Sequence, residues 1–415
     1  MDESAEVLER VFRAESGVVL GALLAQLHDL DLAEEAFQDA IASALERWRV
    51  DGVPRRPGAW LLTAARRKAL DRLRRRATRL DKQSALELEA ELSATEEISL
   101  DDDEIPDERL RLIFTCCHPA LGRQAQVALT LRTLGGLSTA EIARAFLVDE
   151  SAMARRLVRA KAKLRQERVT YQVPPLELVP ERREAVLSVI YLIFNEGYAA
   201  SAGDSLLRRE LASEAIRLGR VLVELLPADT EVCGLLALML LHDARRDARV
   251  DADGVGVPLE DQDRARWDHA QIREGRALVA ALGPLEASGP YALQARIASL
   301  HVAGERFGEI DWRAVAALYD RLLALGRSPV IELNRAVAVA LAEGPEVGLR
   351  LLEEPALAES LGDYPPYLNA RADLLRRAGR SDDARAAYRV ALARAGTAPE
   401  RAFLERRLAQ LPGEE

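Results

Sequence analysis

Apolar residues in the first 80 positions recur at helical spacing, which predicts two amphipathic helices. Asp31 and Glu34 have the spacing of a capping box, so the first helix is expected to begin with Asp31 as its N-cap. The stretch 51–58 contains two prolines and two glycines and is expected to end that helix. The buried stripe of the first helix is expected to be Ala33, Phe37, Ile41, Ala44, Leu45 and Trp48, and that of the second Leu61, Ala65, Ala69 and Leu73.

The stretch 106–168 is again periodic and predicts a helix-turn-helix. Ser138 and Glu141 form a second capping box, which indicates a helix over 141–146. A turn at 147–149 then leads, with Asp149 as N-cap, into a helix from Glu150 to Gln166. Its apolar stripe is Met153, Leu157 and Leu164, and the cations expected to face solvent are Arg155, Arg156, Arg159, Lys161 and Lys163.

The rest of the chain is predicted to be helical as well, which makes the fold class all-α. Short Gly or Pro breaks from residue 181 to 412 indicate helical repeats. One unit matches a tetratricopeptide-like pattern through Ala372, Gly379, Ala384, Tyr388 and Ala391, and 329–352 matches it loosely. The expected organisation is a first domain at 1–80, an acidic linker at 81–105, a helix-turn-helix domain at 106–170, a Pro-rich hinge at 171–180 and a helical array at 181–415.

Composition supports helices, because Ala, Leu, Arg and Glu dominate the chain while aromatic residues make up only 5% of it. No apolar run reaches membrane-spanning length, and Met1–Arg13 lacks the pattern of a signal peptide. The three cysteines form no disulfide framework. Together these features predict a cytoplasmic protein.

Charge is distributed in blocks that matter more than the net charge of -10. Residues 66–79 hold eight Lys/Arg against one Asp, and residues 155–168 hold seven Lys/Arg against one Glu. Between them, residues 81–109 hold twelve Asp/Glu against two Lys/Arg. Two basic blocks of this kind on predicted helices indicate contact with nucleic acid.

The sequence contains little that indicates a catalytic site or a metal site. The five histidines are scattered and no catalytic triad or phosphate-binding loop is visible. Cys116, Cys117 and His118 are consecutive, and adjacent helical residues point in different directions, so we expect buried cysteines, no metal and no cofactor. The unusual stretch 195–198 lacks a catalytic partner, and its Glu196 and Tyr198 are expected to fix the first helical pair against the preceding domains.

The order of these segments resembles extracytoplasmic-function (ECF) RNA polymerase sigma factors of the sigma-70 family. Residues 31–40 are similar to the helix that binds core polymerase, 59–76 to the segment of region 2 that reads the −10 element, and 136–161 to the region 4 domain that reads the −35 element. The stretches 116–119, 146–147 and 193–199 resemble a subgroup with a large tetratricopeptide-like C-terminal extension.

The resemblance implies roles for particular side chains. It implies that core polymerase binds Asp31, Glu34, Glu35, Gln38 and Asp39. It implies that the −10 element is bound by Arg55, Arg56, Trp60, Arg66, Arg67, Arg72, Arg74 and Arg75. In the −35 segment it implies base contacts from Ser151, Ala154 and Arg155 and phosphate contacts from Arg156, Arg159, Lys161 and Lys163. Trp48 either supports a flipped base or belongs to the core.

The sequence therefore predicts a sigma factor, with no enzymatic activity, that binds core RNA polymerase, recognises promoter elements and assists DNA opening. The region after residue 170 holds 30 Lys/Arg against 38 Asp/Glu, so it is expected to regulate the protein in cis or to bind a partner rather than DNA. Two alternatives remain. One is a helix-turn-helix activator with a helical sensor, and the other is a scaffold or enzyme with its chemistry near Glu196.

Overall fold

The computed structural model describes residues 3–27, 29–77, 105–146, 148–167, 169, 179–198 and 205–412. Within this part of the chain there are nineteen α-helices and no β-strand, which confirms the all-α prediction. The expected linker and hinge lie outside it, apart from their last residues. The helices are α1 (Glu3–Leu27), α2 (Leu30–Asp51), α3 (Pro57–Ala77), α4 (Ile105–Cys116), α5 (Arg123–Thr133), α6 (Thr139–Ala145), α7 (Glu150–Gln166), α8 (Val179–Tyr198), α9 (Ser205–Leu225), α10 (Thr230–Asp243), α11 (His269–Ala280), α12 (Pro290–His301), α13 (Trp312–Leu325), α14 (Pro329–Glu343), α15 (Pro345–Leu352), α16 (Pro355–Leu361), α17 (Pro365–Arg377), α18 (Ser381–Arg394) and α19 (Ala398–Ala409).

The chain divides into two compact units. The first unit contains 1–196 and 213–225, and the second contains 197–212 and 226–415. The chain therefore enters the second unit at the last two residues of α8, returns to the first for the second half of α9, and then stays in the second. None of the helices in the described part is both long and apolar enough to cross a membrane.

The start of α2 differs from the sequence prediction by two residues. Asp29 is the N-cap, and its Oδ1 accepts hydrogen bonds from the backbone N–H groups of Asp31 and Leu32 at 3.0 and 3.1 Å. The prediction that Asp31 caps this helix is wrong, because the earlier start allows Leu32 to enter the core. Leu45 is 50% exposed, because neighbouring Ala44 occupies the buried direction and the next residue points about 100° away.

Both helices of the predicted helix-turn-helix form, although α6 begins at Thr139, two residues earlier than expected, and Leu147 of the predicted turn lies outside the described residues. The N–H of Ser138 donates to the Glu141 carboxylate at 2.6 Å, and the N–H of Glu141 donates to Ser138 Oγ at 3.2 Å. This reciprocal pair confirms the capping box at the start of α6. Helix α7 has the predicted bounds and buries Met153 along with the rest of its apolar stripe, although the Asp149 side chain makes no capping hydrogen bond.

The second half of α9 is part of the first unit through both apolar and polar contacts. Leu218 and Leu222 are buried. The carbonyl of Leu134, at the end of α5, accepts hydrogen bonds from Ser16 Oγ at 3.3 Å and from Arg217 Nη2 at 2.8 Å. One carbonyl thereby connects α1, α5 and α9.

The second unit consists of short helices separated at most of the predicted Gly and Pro breaks. Between α17 and α18, Gly379 has φ +75°, a conformation that favours glycine. Four of the five predicted repeat positions are buried, namely Ala372, Ala384, Tyr388 and Ala391. Between α14 and α15, a Cβ on Gly348 would lie 2.3 Å from Ala340 Cβ, so this glycine permits close helix packing. The tetratricopeptide assignment itself stays a prediction.

Candidate functional site

Helix α2 carries carboxylates on the side opposite its core residues. Leu32, Ala33, Ala36, Phe37 and Ala40 are buried. The carboxylates between and beside them are Asp31, Glu34, Glu35 and Asp39, which we call the α2 acidic face. Gln38 is exposed next to them. The helical period of the sequence thus brings all five predicted polymerase-binding residues onto one helix surface.

Arg72 of helix α3 contacts one end of the α2 acidic face. Arg72 Nη1 lies 2.5 Å from Glu35 Oε2, and Arg72 Nη2 lies 2.8 Å from Asp39 Oδ2. These three side chains are more than one third exposed, so the pairs contribute little to stability. A residue predicted to bind DNA is therefore paired with two residues predicted to bind polymerase.

Helix α7 contacts the other end of the α2 acidic face. Lys161 Nζ lies 2.6 Å from Glu34 Oε2 and 3.2 Å from Asp31 Oδ1, and Arg165 Nη1 lies 2.6 Å from Asp31 Oδ2. The Lys161 and Glu34 side chains are only 15% and 13% exposed. The prediction that Lys161 faces solvent is wrong, because it lies four residues after buried Leu157 at the edge of the apolar stripe.

The residues predicted to bind the −10 element differ in solvent exposure. Arg55, Arg56, Arg67 and Arg74 are exposed, whereas Arg66 is partly buried and its Nε donates to Gln26 Oε1 at 3.1 Å. The side chain of Arg75 lies outside the described residues.

The two tryptophans beside the loop between α2 and α3 differ in burial. Trp48 is 6% exposed and packs edge-on against Trp60, with ring centroids 5.4 Å apart. Trp48 is therefore a core residue. Trp60 is only partly buried.

The predicted −35 residues lie mainly on the surface of α7. Ser151, Ala154, Arg155, Arg159 and Lys163 are exposed, and Arg156 is partly exposed. Lys163 pairs with Glu167 at 2.7 Å, and this hydrogen bond lowers the pKa of the Glu167 carboxyl.

A shallow cleft of about 240 Å³ lies beside α7. Arg156, Arg159 and Lys163 line it together with Gly122, the N-cap of α5, which has no side-chain cap. A helix N-terminus beside three cations suits a phosphate group. The cleft therefore has the chemistry of a contact with a nucleic-acid backbone.

The cysteines of α4 and the following turn have structural contacts. Cys116 Sγ lies 3.0 Å from Thr133 Oγ1, and Cys117 Sγ lies 3.7 Å from Thr130 Oγ1. Burial raises the pKa of both thiols, that of Cys117 to about 12. The expectation of buried cysteines is confirmed. Within the described residues, no group of three or more His, Cys, Asp or Glu side chains could hold a metal ion.

Sequence reasoning missed two residues of this region. Arg165 completes the contact between α7 and α2, and its four-residue spacing from Lys161 on a basic helix could have indicated it. Gln126 donates from Nε2 to the carbonyls of Cys117 and His118, both at 3.0 Å, and fixes the turn before α5. Nothing in the sequence pattern singles out this glutamine.

Comparisons with known proteins divide the chain into three matched stretches. Residues 11–79 match sigma-70 region 2, residues 111–164 match sigma-70 region 4, and residues 182–282 match a family of unknown function. An uncharacterised protein of Rhizobium meliloti (strain 1021) is 43% identical over 401 residues, which covers 95% of this chain and 93% of the relative. No solved structure matches the chain.

Proposed function

Starting from the chain's membership of the sigma-70 family of sigma factors, with a large C-terminal extension, we propose that it is an ECF-class factor. Sigma-70 regions 2 and 4 give it a role in promoter recognition and transcription initiation, with core RNA polymerase and promoter DNA as partners. In the proposed mechanism, region 4 reads the −35 element while region 2 reads the −10 element and assists DNA opening.

The observation that carries this proposal is the set of exposed cations on α7. Ser151, Ala154 and Arg155 lie in its first two turns, the part of a recognition helix that reaches base edges in the major groove. The three cations of the cleft beside α5 then hold the phosphate backbone, which fixes the register of the helix on the duplex.

The −10 contact is assigned to α3 and the loop before it. Arg55 and Arg56 are exposed in this loop, and Trp60 follows them in the first turn of α3. An unpaired base stacks on an aromatic ring with a gain of about 1–3 kcal/mol, which offsets much of the cost of flipping it. Burial of Trp48 makes Trp60 the better candidate for that ring.

The α2 acidic face and Gln38 are assigned to core polymerase, where a basic helical surface would complement them. Complementary charge mainly raises the association rate and selects the partner. For the extension, we propose that it acts in the cytoplasm as a tetratricopeptide-like regulator in cis or as a docking surface. Its excess of acidic residues disfavours a second DNA contact.

The test mixes the purified protein with core RNA polymerase and measures promoter-directed transcripts. Glu35→Lys reverses one charge of the α2 acidic face and Gln38→Lys adds a positive charge beside it, and together they should lower core binding at least tenfold. Glu46→Lys, an equally exposed site two turns further along α2, is the matched control and should leave it unchanged. Arg155→Ala with Arg159→Ala should spare core binding and weaken protection of the −35 element.

Other outcomes would select other functions. Transcripts that require a second sigma factor would identify an activator, and a turnover measured without polymerase would favour an enzyme. Equal effects of the α2 and α7 variants on core binding would contradict the assignment. For the extension, truncation after Leu225 retains every residue of the first unit. Unchanged transcription by that variant under all conditions would contradict a regulatory role.

A further inference from the structure

The second unit contains a cavity of about 710 Å³, within the usual range for small-molecule sites. Its walls come from the end of α8, the first half of α9, the end of α10, the turn 249–258 and the start of α19. All of its lining residues belong to the second unit. The unusual stretch 195–198, for which the proposed function has no role, contributes Gly197 and Tyr198 to the wall.

Among the described residues, one arginine of the cavity lining has no carboxylate partner. Arg209 pairs with Asp247 at 3.1 Å, and Arg246 pairs with Asp243. Arg249 has no carboxylate within ion-pair distance among the described residues. Its guanidinium carbon lies 3.6 Å from the centroid of the Tyr198 ring, and its Nη1 donates to the Tyr198 carbonyl at 3.1 Å. The remaining N–H donors of this fixed guanidinium can therefore receive an anion.

Tyr198 is in turn fixed by buried groups, so the arginine rests on a rigid support. The Tyr198 hydroxyl lies 3.1 Å from His242 Nδ1, and the two rings meet edge-on with centroids 5.3 Å apart. Arg245 Nη2 lies 3.3 Å from the same nitrogen. Because Arg245 can only donate, Nδ1 is the acceptor and the imidazole proton is on Nε2. Burial lowers the pKa of His242 well below its ordinary value, consistent with a neutral ring.

The turn that begins at Arg249 is also held by specific contacts. The turn 249–258 closes through a bridge between Val250 and Gly256, and the N–H of Val257 donates to the Arg249 carbonyl at 2.8 Å. Arg406 on α19 binds Asp251 of this turn at 2.5 Å. The cavity is thus bounded by preorganised elements, which lowers the entropic cost of binding a ligand.

The lining determines the kind of ligand. Val257, Pro258, Pro399 and Phe403 provide apolar surface. The two carboxylates of the wall already have partners, since Asp243 accepts from Arg246 and Gln271, and Glu400 Oε2 accepts from the N–H of Gly396 at 3.0 Å. We propose that this cavity binds a small molecule with an apolar body and one carboxylate or phosphate group, and that Arg249 receives that group.

Isothermal titration of the full chain with probes that share a phenyl body tests the proposal. Benzoate and phenyl phosphate carry the two candidate anions, and benzyl alcohol is the neutral control. At least one anionic probe should bind with a Kd of about 1 mM or tighter, as expected for a fragment of this size. Whichever anion binds more tightly identifies the group that Arg249 prefers. Benzyl alcohol should bind at least tenfold more weakly.

Two variants at different positions of the turn 249–258 link binding to the cavity. Arg249→Gln removes the charge, and Val257→Asp adds an opposing one, so each should weaken the anionic probe at least tenfold. Arg266→Gln changes an exposed arginine outside the cavity and should bind as the unchanged chain does. The proposal fails if neither anionic probe binds at a concentration tenfold above the expected Kd. It also fails if benzyl alcohol binds as tightly as the anionic probes, or if both variants of the turn bind the anionic probe as tightly as the unchanged chain does. Because binding is measured without polymerase, this result is independent of the sigma-factor assignment.

Discussion

Replacing Lys161 by methionine removes the charge that joins α7 to α2 and keeps a side chain of similar length. Lys161 Nζ lies 2.6 Å from Glu34 Oε2, and the other carboxylate oxygen, Oε1, is buried without a hydrogen-bond partner among the described residues. Loss of one partner of a buried pair costs about 3–5 kcal/mol. The small remaining exposure of both groups, and the contact that Arg165 keeps with Asp31, reduce the expected cost to about 2–3 kcal/mol.

Native-state hydrogen exchange of the full chain measures this cost locally, because the two units need not unfold together. Amides in α2 and α7 should exchange about 30- to 150-fold faster in Lys161→Met, since 1.4 kcal/mol corresponds to a factor of ten. Amides of the second unit should not change. Lys163→Met is the matched control. Lys163 lies two residues after Lys161 on α7, and its ion pair with Glu167 is exposed. Lys163→Met should lower the local free energy of unfolding by less than about 0.5 kcal/mol.

A double-mutant cycle with Glu34→Gln isolates the interaction between the two side chains. If the pair acts as described, the double variant is less destabilised than the sum of the single variants by about 1 kcal/mol or more. Additive effects, or equal exchange rates in Lys161→Met and Lys163→Met, would refute the reasoning that this pair holds α7 on α2.

Three further predictions concern stability measured by denaturant titration. Ser138→Ala should cost about 1 kcal/mol through loss of the α6 cap. Gly344→Ala should cost about 1–3 kcal/mol because its φ is +112°, whereas Gly326→Ala, at an extended and open position, should be nearly neutral. Burial lowers the pKa of His301 to about 4, so between about pH 6.5 and pH 4 only the unfolded state takes up this proton. As the pH falls through this range, the free energy of unfolding of the second unit should decrease by up to about 1.4 kcal/mol per pH unit. His301→Gln should make this decrease smaller.

Local signals in the sequence predicted local structure well. The bounds of α7 and the capping box of α6 depend on residues within a few positions of one another, and both are found where expected. The start of α2 was mispredicted because Asp29 and Asp31 are equally suitable caps by residue type. The choice between them depends on whether Leu32 reaches the core, which is a property of the tertiary fold.

Contacts between distant parts of the chain could not be predicted in the same way. Lys161 and Glu34 are 127 positions apart, so the periodicity of α7 alone indicated a solvated lysine. Tyr198 was recognised as unusual, but its described contacts are with His242 and Arg249, which lie 44 and 51 positions further along the chain. These contacts define a cavity wall, whereas the sequence suggested only a packing role. The side chain of Glu196 lies outside the described residues.

The pairing of Lys161 with the α2 acidic face also makes two binding events cooperative. Under the proposed assignment, polymerase requires the carboxylates and DNA requires the lysine, so either partner must first separate α7 from α2. The partner that binds first bears this opening cost, and the second then meets an open site. The second partner therefore binds more tightly by the factor that corresponds to the free energy of separating α7 from α2, and by linkage the enhancement is reciprocal. The free protein would thus engage DNA weakly until polymerase is present.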